Sequence, residues 1–141
     1  VLRTFSKIYS LAGARIGYGV VPAEILEAID KVREPFNINT PAQVGAAASL
    51  DDQNEVNARS QSNQEQRKRL EEALDRLGMR RSESQTNFVY FNPGIPPMRA
   101  FETLKAEGLI VRVLGDNEYI RATLGTDQEN TKLIKVLESL A

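Results

Sequence analysis

Lys7 and Arg15 stand eight positions apart, with Thr4 and Ser6 just ahead of the lysine, in the run Thr4-Phe5-Ser6-Lys7-Ile8-Tyr9-Ser10-Leu11-Ala12-Gly13-Ala14-Arg15-Ile16-Gly17-Tyr18-Gly19. An amine that is close to a second cation and partly desolvated loses its proton more readily than a free one. Once neutral, an amine can attack a carbonyl carbon and form a Schiff base. A guanidinium offers a planar fork suited to a phosphate, and hydroxyls add further donors. Lysine for an aldehyde, with arginine and two hydroxyls for a phosphate, together describe pyridoxal 5'-phosphate. The same residues also fit a surface lysine after a strand and an arginine paired to some carboxylate, and residue types alone leave both readings open.

Two short elements must position these groups. The apolar, β-prone run 1–5 reads as one strand, and the run 15–21, stopped by Pro22, reads as another. The connection over 6–14 is too short for a parallel crossover, which predicts an antiparallel pair. Lys7 and Arg15 are then expected to face one hollow at the carboxyl edge of a sheet. Gly13, Gly17 and Gly19 are expected to keep that hollow clear.

The same run resembles the cofactor-lysine segment of fold-type I aminotransferases, and Arg33-Glu34-Pro35-Phe36-Asn37-Ile38-Asn39 resembles the histidinol-phosphate branch of that family. The resemblance extends over the whole chain. It implies an α/β fold, the carboxyl-terminal part of a PLP-dependent transferase. The large-domain portion would cover 1–50, an interdomain helix 51–77 and a small α+β domain 78–141. It also implies that Lys7 bonds the cofactor and moves protons, and that Thr4, Ser6 and Arg15 hold the cofactor phosphate. Arg121, within Tyr119-Ile120-Arg121-Ala122-Thr123-Leu124-Gly125-Thr126, would bind substrate. Arg112 is a second substrate candidate. It departs from the family pattern, because Val113 rather than proline follows it and the loop after it is short. Asn87 matches a recurring family asparagine and equally suits a polar residue at a strand start. Ser10 and Ala14 occupy positions where relatives more often have glycine and leucine.

The activity implied is amino transfer between histidinol phosphate and 2-oxoglutarate or glutamate, in histidine biosynthesis, by a cytoplasmic homodimer. A related amino-acid phosphate decarboxylase or aromatic aminotransferase is the alternative with the same cofactor. An inactive structural fragment is the non-enzymatic one. Val1 opens inside an apolar run, which predicts that most of the sheet lies upstream and that these 141 residues alone are inactive.

Composition narrows the classes further. With 18 basic against 19 acidic residues, nothing argues for a nucleic-acid or membrane partner. The absence of cysteine and histidine excludes zinc sites built on them, disulfides and Ser-His-Asp triads. No apolar run is long enough for a membrane span, and no signal-peptide pattern opens the chain. Gly13, Gly17 and Gly19 lack dinucleotide-fingerprint spacing, and Thr4-x-x-Lys7 is only a weak echo of the serine-lysine hydrolase motif.

Farther along, residues 23–33 predict a helix with Ile25, Leu26, Ile29 and Val32 on one face, ended by Glu34-Pro35. Thr40 reads as the N-cap of a second helix whose smooth, Ala- and Gly-rich face suits core packing. The stretch 51–77 predicts a long helix, polar through its first half and stopped by Gly78. Beyond it come a strand over 86–91, a helix over 97–107, strands over 109–113 and 119–124 joined by Leu114 to Glu118, and a last helix opened by a Thr126–Glu129 capping box. Arginines inside strands usually sit on the wet face. On opposite arms of one hairpin, Arg112 and Arg121 can also point the same way and grip an anion.

Overall fold

The computed structural model describes residues 1–115 and 117–140, and the chain divides into two compact units, Val1–Ser60 and a second that begins at Gln61. In the first unit, β1 (Leu2–Thr4) pairs antiparallel with β2 (Gly17–Gly19), in the register Leu2 to Gly19 and Thr4 to Gly17. Both strands are shorter than the sequence predicts, although the Phe5 amide still donates to the Ile16 carbonyl at 3.2 Å. A β-carbon at Gly17 would lie 2.7 Å from the Arg3 carbonyl oxygen. Close approach of the two strands, rather than a hollow to be kept clear, is therefore what requires glycine there. Nothing lies within 4 Å of a β-carbon built at Gly13.

Helix α1 (Ala23–Asp30) ends before the predicted Arg33. The Val32 and Arg33 amides both donate to the Ile29 carbonyl, and Arg33 Nε pairs with Asp30 Oδ1 at 3.1 Å, which tightens the chain into a turn. The face predicted to pack is half open: Ile25, Leu26 and Ile29 are 50%, 49% and 44% exposed. Helix α2 (Thr40–Asp51) is capped by Asn39, not Thr40. Asn39 Oδ1 accepts from the Ala42 amide at 2.8 Å, and Gln43 Nε2 donates to the Ile38 carbonyl at 3.0 Å. Asparagine caps as well as threonine, and its place one residue earlier puts Pro41 within the first turn, where a missing amide costs nothing. Ala42 and Ala46 are buried.

Helix α3 (Gln53–Arg76) begins in the first unit and runs on into the second. It stops at Gly78, whose φ of +68° is a left-handed conformation open to glycine. The Gly78 amide donates to Asp75 and the Met79 amide to Leu74, which satisfies two carbonyls of the last turn.

The second unit is built on the antiparallel sheet β3 (Phe88–Phe91), β5 (Ile120–Thr123) and β4 (Arg112–Val113), in that order. Alternation along the strands sends Val89, Phe91, Ile120 and Ala122 into a core. Leu70 and Leu74 of α3, Leu104 of α4 (Pro97–Ala106) and Leu137 of α5 (Asp127–Leu140) close over them, all fully buried. Each such leucine contributes about 1.5–3 kcal/mol relative to an exposed one. β4 is shorter than the predicted 109–113, and of the predicted hairpin loop Asp116 lies outside the described residues.

The capping box forms as predicted. Glu129 Oε2 accepts from the Thr126 amide at 2.7 Å, and Thr126 Oγ1 accepts from the Glu129 amide at 3.3 Å. The Thr126 bonds hold the Glu129 carboxyl below the usual carboxylate range. Buried Asn130 locks the turn after β5, donating to the Gly125 carbonyl and the Gln66 side chain and accepting from the Gly125 amide.

Candidate functional site

The β1–β2 register fixes where the first set of candidate residues lies. Thr4 is opposite Gly17, so Lys7, three residues beyond Thr4, and Arg15, two residues before Gly17, both follow from the same end of the ladder. Thr4 and Ser6 are in direct contact. Thr4 Oγ1 donates to Ser6 Oγ at 2.9 Å and accepts from the Ser6 amide at 3.1 Å. This is the local side-chain turn that threonine and serine form readily, and it sets two hydroxyls and the lysine on consecutive positions of one bend. Phe5, between them, is buried and packs against the rings of Tyr9 and Tyr18 at 4.9 and 5.9 Å. That anchor leaves the neighbouring polar side chains outward: Thr4 and Lys7 are exposed and Ser6 partly so.

Arg15 has φ +55° and ψ +50° and ends the short helical turn Ala12–Ala14. A left-handed arginine is uncommon and costs about 1–2 kcal/mol, which the surrounding turn must sustain. Its Nη1 donates to the Ala12 carbonyl at 2.8 Å, and among the described residues it has no hydrogen bond to Thr4, Ser6 or Lys7. One planar donor set is thus steadied by backbone while its remaining N–H groups stay available to an anion.

Ser10 also has a positive φ, +56°. The conformation accounts for the sequence expectation of glycine at this position, since only glycine adopts it without a penalty. Its amide closes a tight turn onto the Lys7 carbonyl at 2.9 Å. Arg59, which sequence reasoning did not single out, bonds to this turn from α3. Its Nη1 donates to the Ile8 carbonyl at 2.9 Å and to Ser10 Oγ at 2.7 Å. Its partners lie 51 and 49 positions away, beyond the reach of any local pattern.

In the second unit, Arg112 of β4 stands directly across from Arg121 of β5, and Tyr90 of β3 stands across from Arg121 on the other side. Cross-strand partners share a face, and this one is opposite the Val89–Phe91–Ile120–Ala122 core face. The register sets Arg112 and Arg121 side by side in one row of the sheet. Like charges directly opposite one another are unfavourable in an empty row and favourable around an anion. Arg121 lies over the Phe88 ring, 4.8 Å from its centre, an arrangement attractive to a cation. Its Nε is buried and has no hydrogen-bond partner among the described residues. A buried N–H without an acceptor costs about 1–3 kcal/mol, which an acceptor brought by a ligand would recover. Tyr90 stacks on Tyr119 at 4.9 Å, adding an aromatic wall beside the row. Asn87 meets the sheet through its backbone, its carbonyl accepting from the Leu124 amide at 2.9 Å.

Among the described residues no acidic cluster could hold a metal ion, and no helix is long and apolar enough to cross a membrane.

The chain is 43% identical over 141 residues to histidinol-phosphate aminotransferase 2 of Oceanobacillus iheyensis, covering 98% of this chain and 39% of that protein. It is 40% identical over 143 residues to histidinol-phosphate aminotransferase of Brevibacillus brevis, with 99% and 39% covered. The crystal structure of histidinol-phosphate aminotransferase from Sinorhizobium meliloti in complex with pyridoxal 5'-phosphate superposes with a TM-score of 0.84 at 32% identity, covering 99% of this chain and 41% of that one. The chain therefore spans about two-fifths of the length of these relatives. The model of the family "Aminotransferase class I and II" matches residues 1–137, and the chain belongs to that family.

Proposed function

We propose that this chain carries the lysine and the substrate-anion arginines of a pyridoxal-phosphate-dependent aminotransferase that acts on histidinol phosphate, with 2-oxoglutarate and glutamate as the other amino-group pair. The observation that carries the substrate class is the cross-strand row of Arg112 and Arg121, with one buried guanidinium N–H lacking an acceptor. The donor set at the other bend fits the cofactor: two touching hydroxyls, an arginine steadied by backbone and an exposed lysine.

Bound there, pyridoxal phosphate would supply an aldehyde for Lys7 and an electron sink for the bond broken at the substrate's α-carbon. Thr4, Ser6 and Arg15 would hold the phosphate and fix the cofactor's orientation. With the cofactor bound, Lys7 Nζ would act as the general acid-base, taking the proton from the substrate α-carbon and returning it to the cofactor carbon on the far side of the amino nitrogen. Arg121 and Arg112 bind the substrate's phosphate or carboxylate through charge-assisted hydrogen bonds and exclude amines without such an anion. The reading extends to a cytoplasmic homodimer, which sedimentation of the whole protein tests. The support for the amino-transfer reaction is the family together with the named activity of the relatives at 40% and 43% identity.

The test uses the protein at the full length of its relatives. Borohydride treatment with cofactor is expected to fix one pyridoxyl group on Lys7 in the native protein and none in Lys7→Ala, read by peptide mass spectrometry. With histidinol phosphate and 2-oxoglutarate the native protein is expected to form glutamate. Release of carbon dioxide without glutamate would replace this reading with a phosphate-specific decarboxylase.

A further inference from the structure

Three features lie outside the roles proposed above: a cavity of about 530 Å³ whose lining includes Gly78, Arg80, Asn92 and Glu118, the half-exposed face of α1, and Arg59. The cavity's charges are already joined, Arg80 Nη2 and Asn92 Nδ2 both donating to Glu118 Oε2. The α1 face is about half exposed, and nothing among the described residues says what would cover the rest. Arg59 alone reaches a segment with assigned chemistry.

We infer that Arg59 is a positioning residue that holds the Lys7 turn in its bent form, with Ser10 as the receiving group. The inference rests on the reading of Lys7 as the cofactor lysine. The turn from Lys7 to Ser10 is closed by a single backbone bond, from the Ser10 amide to the Lys7 carbonyl, and its last residue holds a left-handed backbone that serine does not favour. Left to itself such a turn opens readily. One nitrogen of Arg59 bridges the Ile8 carbonyl and the Ser10 hydroxyl, so the second and last residues of the turn are tied to a single point on α3. A planar guanidinium can do this because Nε is held at the same time by Glu55 Oε1 at 2.6 Å, one helical turn earlier, which fixes the plane. Lysine would bring one charged head without the second anchor.

The Leu11 amide, next along the chain, donates back to the Phe5 carbonyl at 2.9 Å. Segment 5–11 is thereby a closed loop, pinned at its base by backbone and at its tip by Arg59, with Lys7 between the two pins. Geometry at a reacting amine matters steeply, since a displacement of about 1 Å can reduce rate on the order of a hundredfold. Arg59 touches neither substrate nor cofactor in this account. It acts through the backbone that carries Lys7.

The experiment uses the whole protein and the variants Arg59→Ala, Arg59→Lys and Ser10→Ala. The first readout is amide hydrogen exchange over residues 7–11 in the cofactor-free protein. In Arg59→Ala the Ser10 and Leu11 amides are expected to exchange about tenfold faster, the equivalent of one charge-assisted hydrogen bond, with exchange in residues 120–123 unchanged. Arg59→Lys recovers part of the protection, and Ser10→Ala, which keeps Arg59 but removes one acceptor, falls between. The second readout is kinetic: kcat about tenfold lower in Arg59→Ala with the KM for the amino substrate changed less than about twofold, because anion binding is left intact. Unchanged exchange at Ser10 and Leu11 in both Arg59→Ala and Ser10→Ala overturns the positioning role while native borohydride labelling of Lys7 stands. Faster exchange with native kcat also overturns it, since the turn would then open without consequence. Absence of pyridoxyl labelling at Lys7 in the native protein overturns the reading of Lys7 itself, and the positioning role with it.

Discussion

The two units of the chain are held together by different kinds of interaction. In the second unit Leu70, Leu74, Val89, Phe91, Leu104, Ile120 and Leu137 are fully buried around one sheet face. In the first, Phe5, Ala42 and Ala46 are the buried hydrophobic residues, while Val32 and Phe36 are 80% and 99% exposed. The first unit is thus ordered mainly by hydrogen bonds: a three-residue strand pair, a hydroxyl bend, an asparagine cap and an arginine tie. Such bonds contribute roughly 1 kcal/mol each and rarely act as one cooperative block. The reactive candidates Lys7 and Arg15 lie in this looser unit, and the arginine row lies on the rigid one. In the proposed reading, anion recognition would be mounted on a packed sheet, while the residue that would bond, release and move a proton sits in a bend.

This contrast can be broken in several places. Phe91→Ala should remove about 3–5 kcal/mol from unfolding of the second unit, measured by urea titration, because a large ring leaves a cavity in a closed core. Asn130→Ala should cost about 2–3 kcal/mol in the same titration, since both polar groups of Gly125 lose their partner. Gly17→Ala should cost about 1–3 kcal/mol locally, seen as faster exchange of the Phe5 amide, because the new methyl meets the Arg3 carbonyl. Ile25→Ala should change the stability of the 141-residue chain by less than about 1 kcal/mol, the same type of deletion on a half-open face. A cost for Ile25→Ala equal to that for Phe91→Ala would abolish the distinction between the units.

The smallest effect expected is a pH dependence. Glu129, through its bonds from Thr126, and Asp75, through its side-chain bond from Arg81, both have carboxyls held below their usual range. A depressed folded value means the contribution is complete above the ordinary carboxylate pKa. It fades as pH falls through that value toward the folded one. The difference in stability between the native chain and Glu129→Gln should therefore be larger near neutral pH than at about pH 3. A difference that grows on acidification would reverse the assignment.

Much of this could be read in advance wherever the governing contacts are local. The Thr126–Glu129 box, the stop at Gly78 and the antiparallel pairing forced by a short connection are all set within a few residues. Asn39 and Thr40 are adjacent cap formers, and only the positions of the Ala42 and Gln43 bonds chose between them. The periodicity of α1 was correct as a helix signal and silent on what the apolar face meets, because amphipathic spacing is the same with or without a partner. Arg59 was invisible for a different reason: an arginine on a polar helix looks solvated until the chain folds back to it. The register of Arg112 against Arg121 likewise depends on strand pairing that residue types do not specify.

Strand β5 is held on both edges, but unequally, with four residue pairs to β3 and two to β4. The location of Arg121 is consequently dictated by its bond ladder to β3 and owes little to the neighbouring hairpin. Insertions or deletions between β4 and β5 should slide Arg112 along the row while Arg121 stays put. If the row binds an anion as proposed, evolution could in this way retune the size of the anion accepted by loop length alone, without moving Arg121.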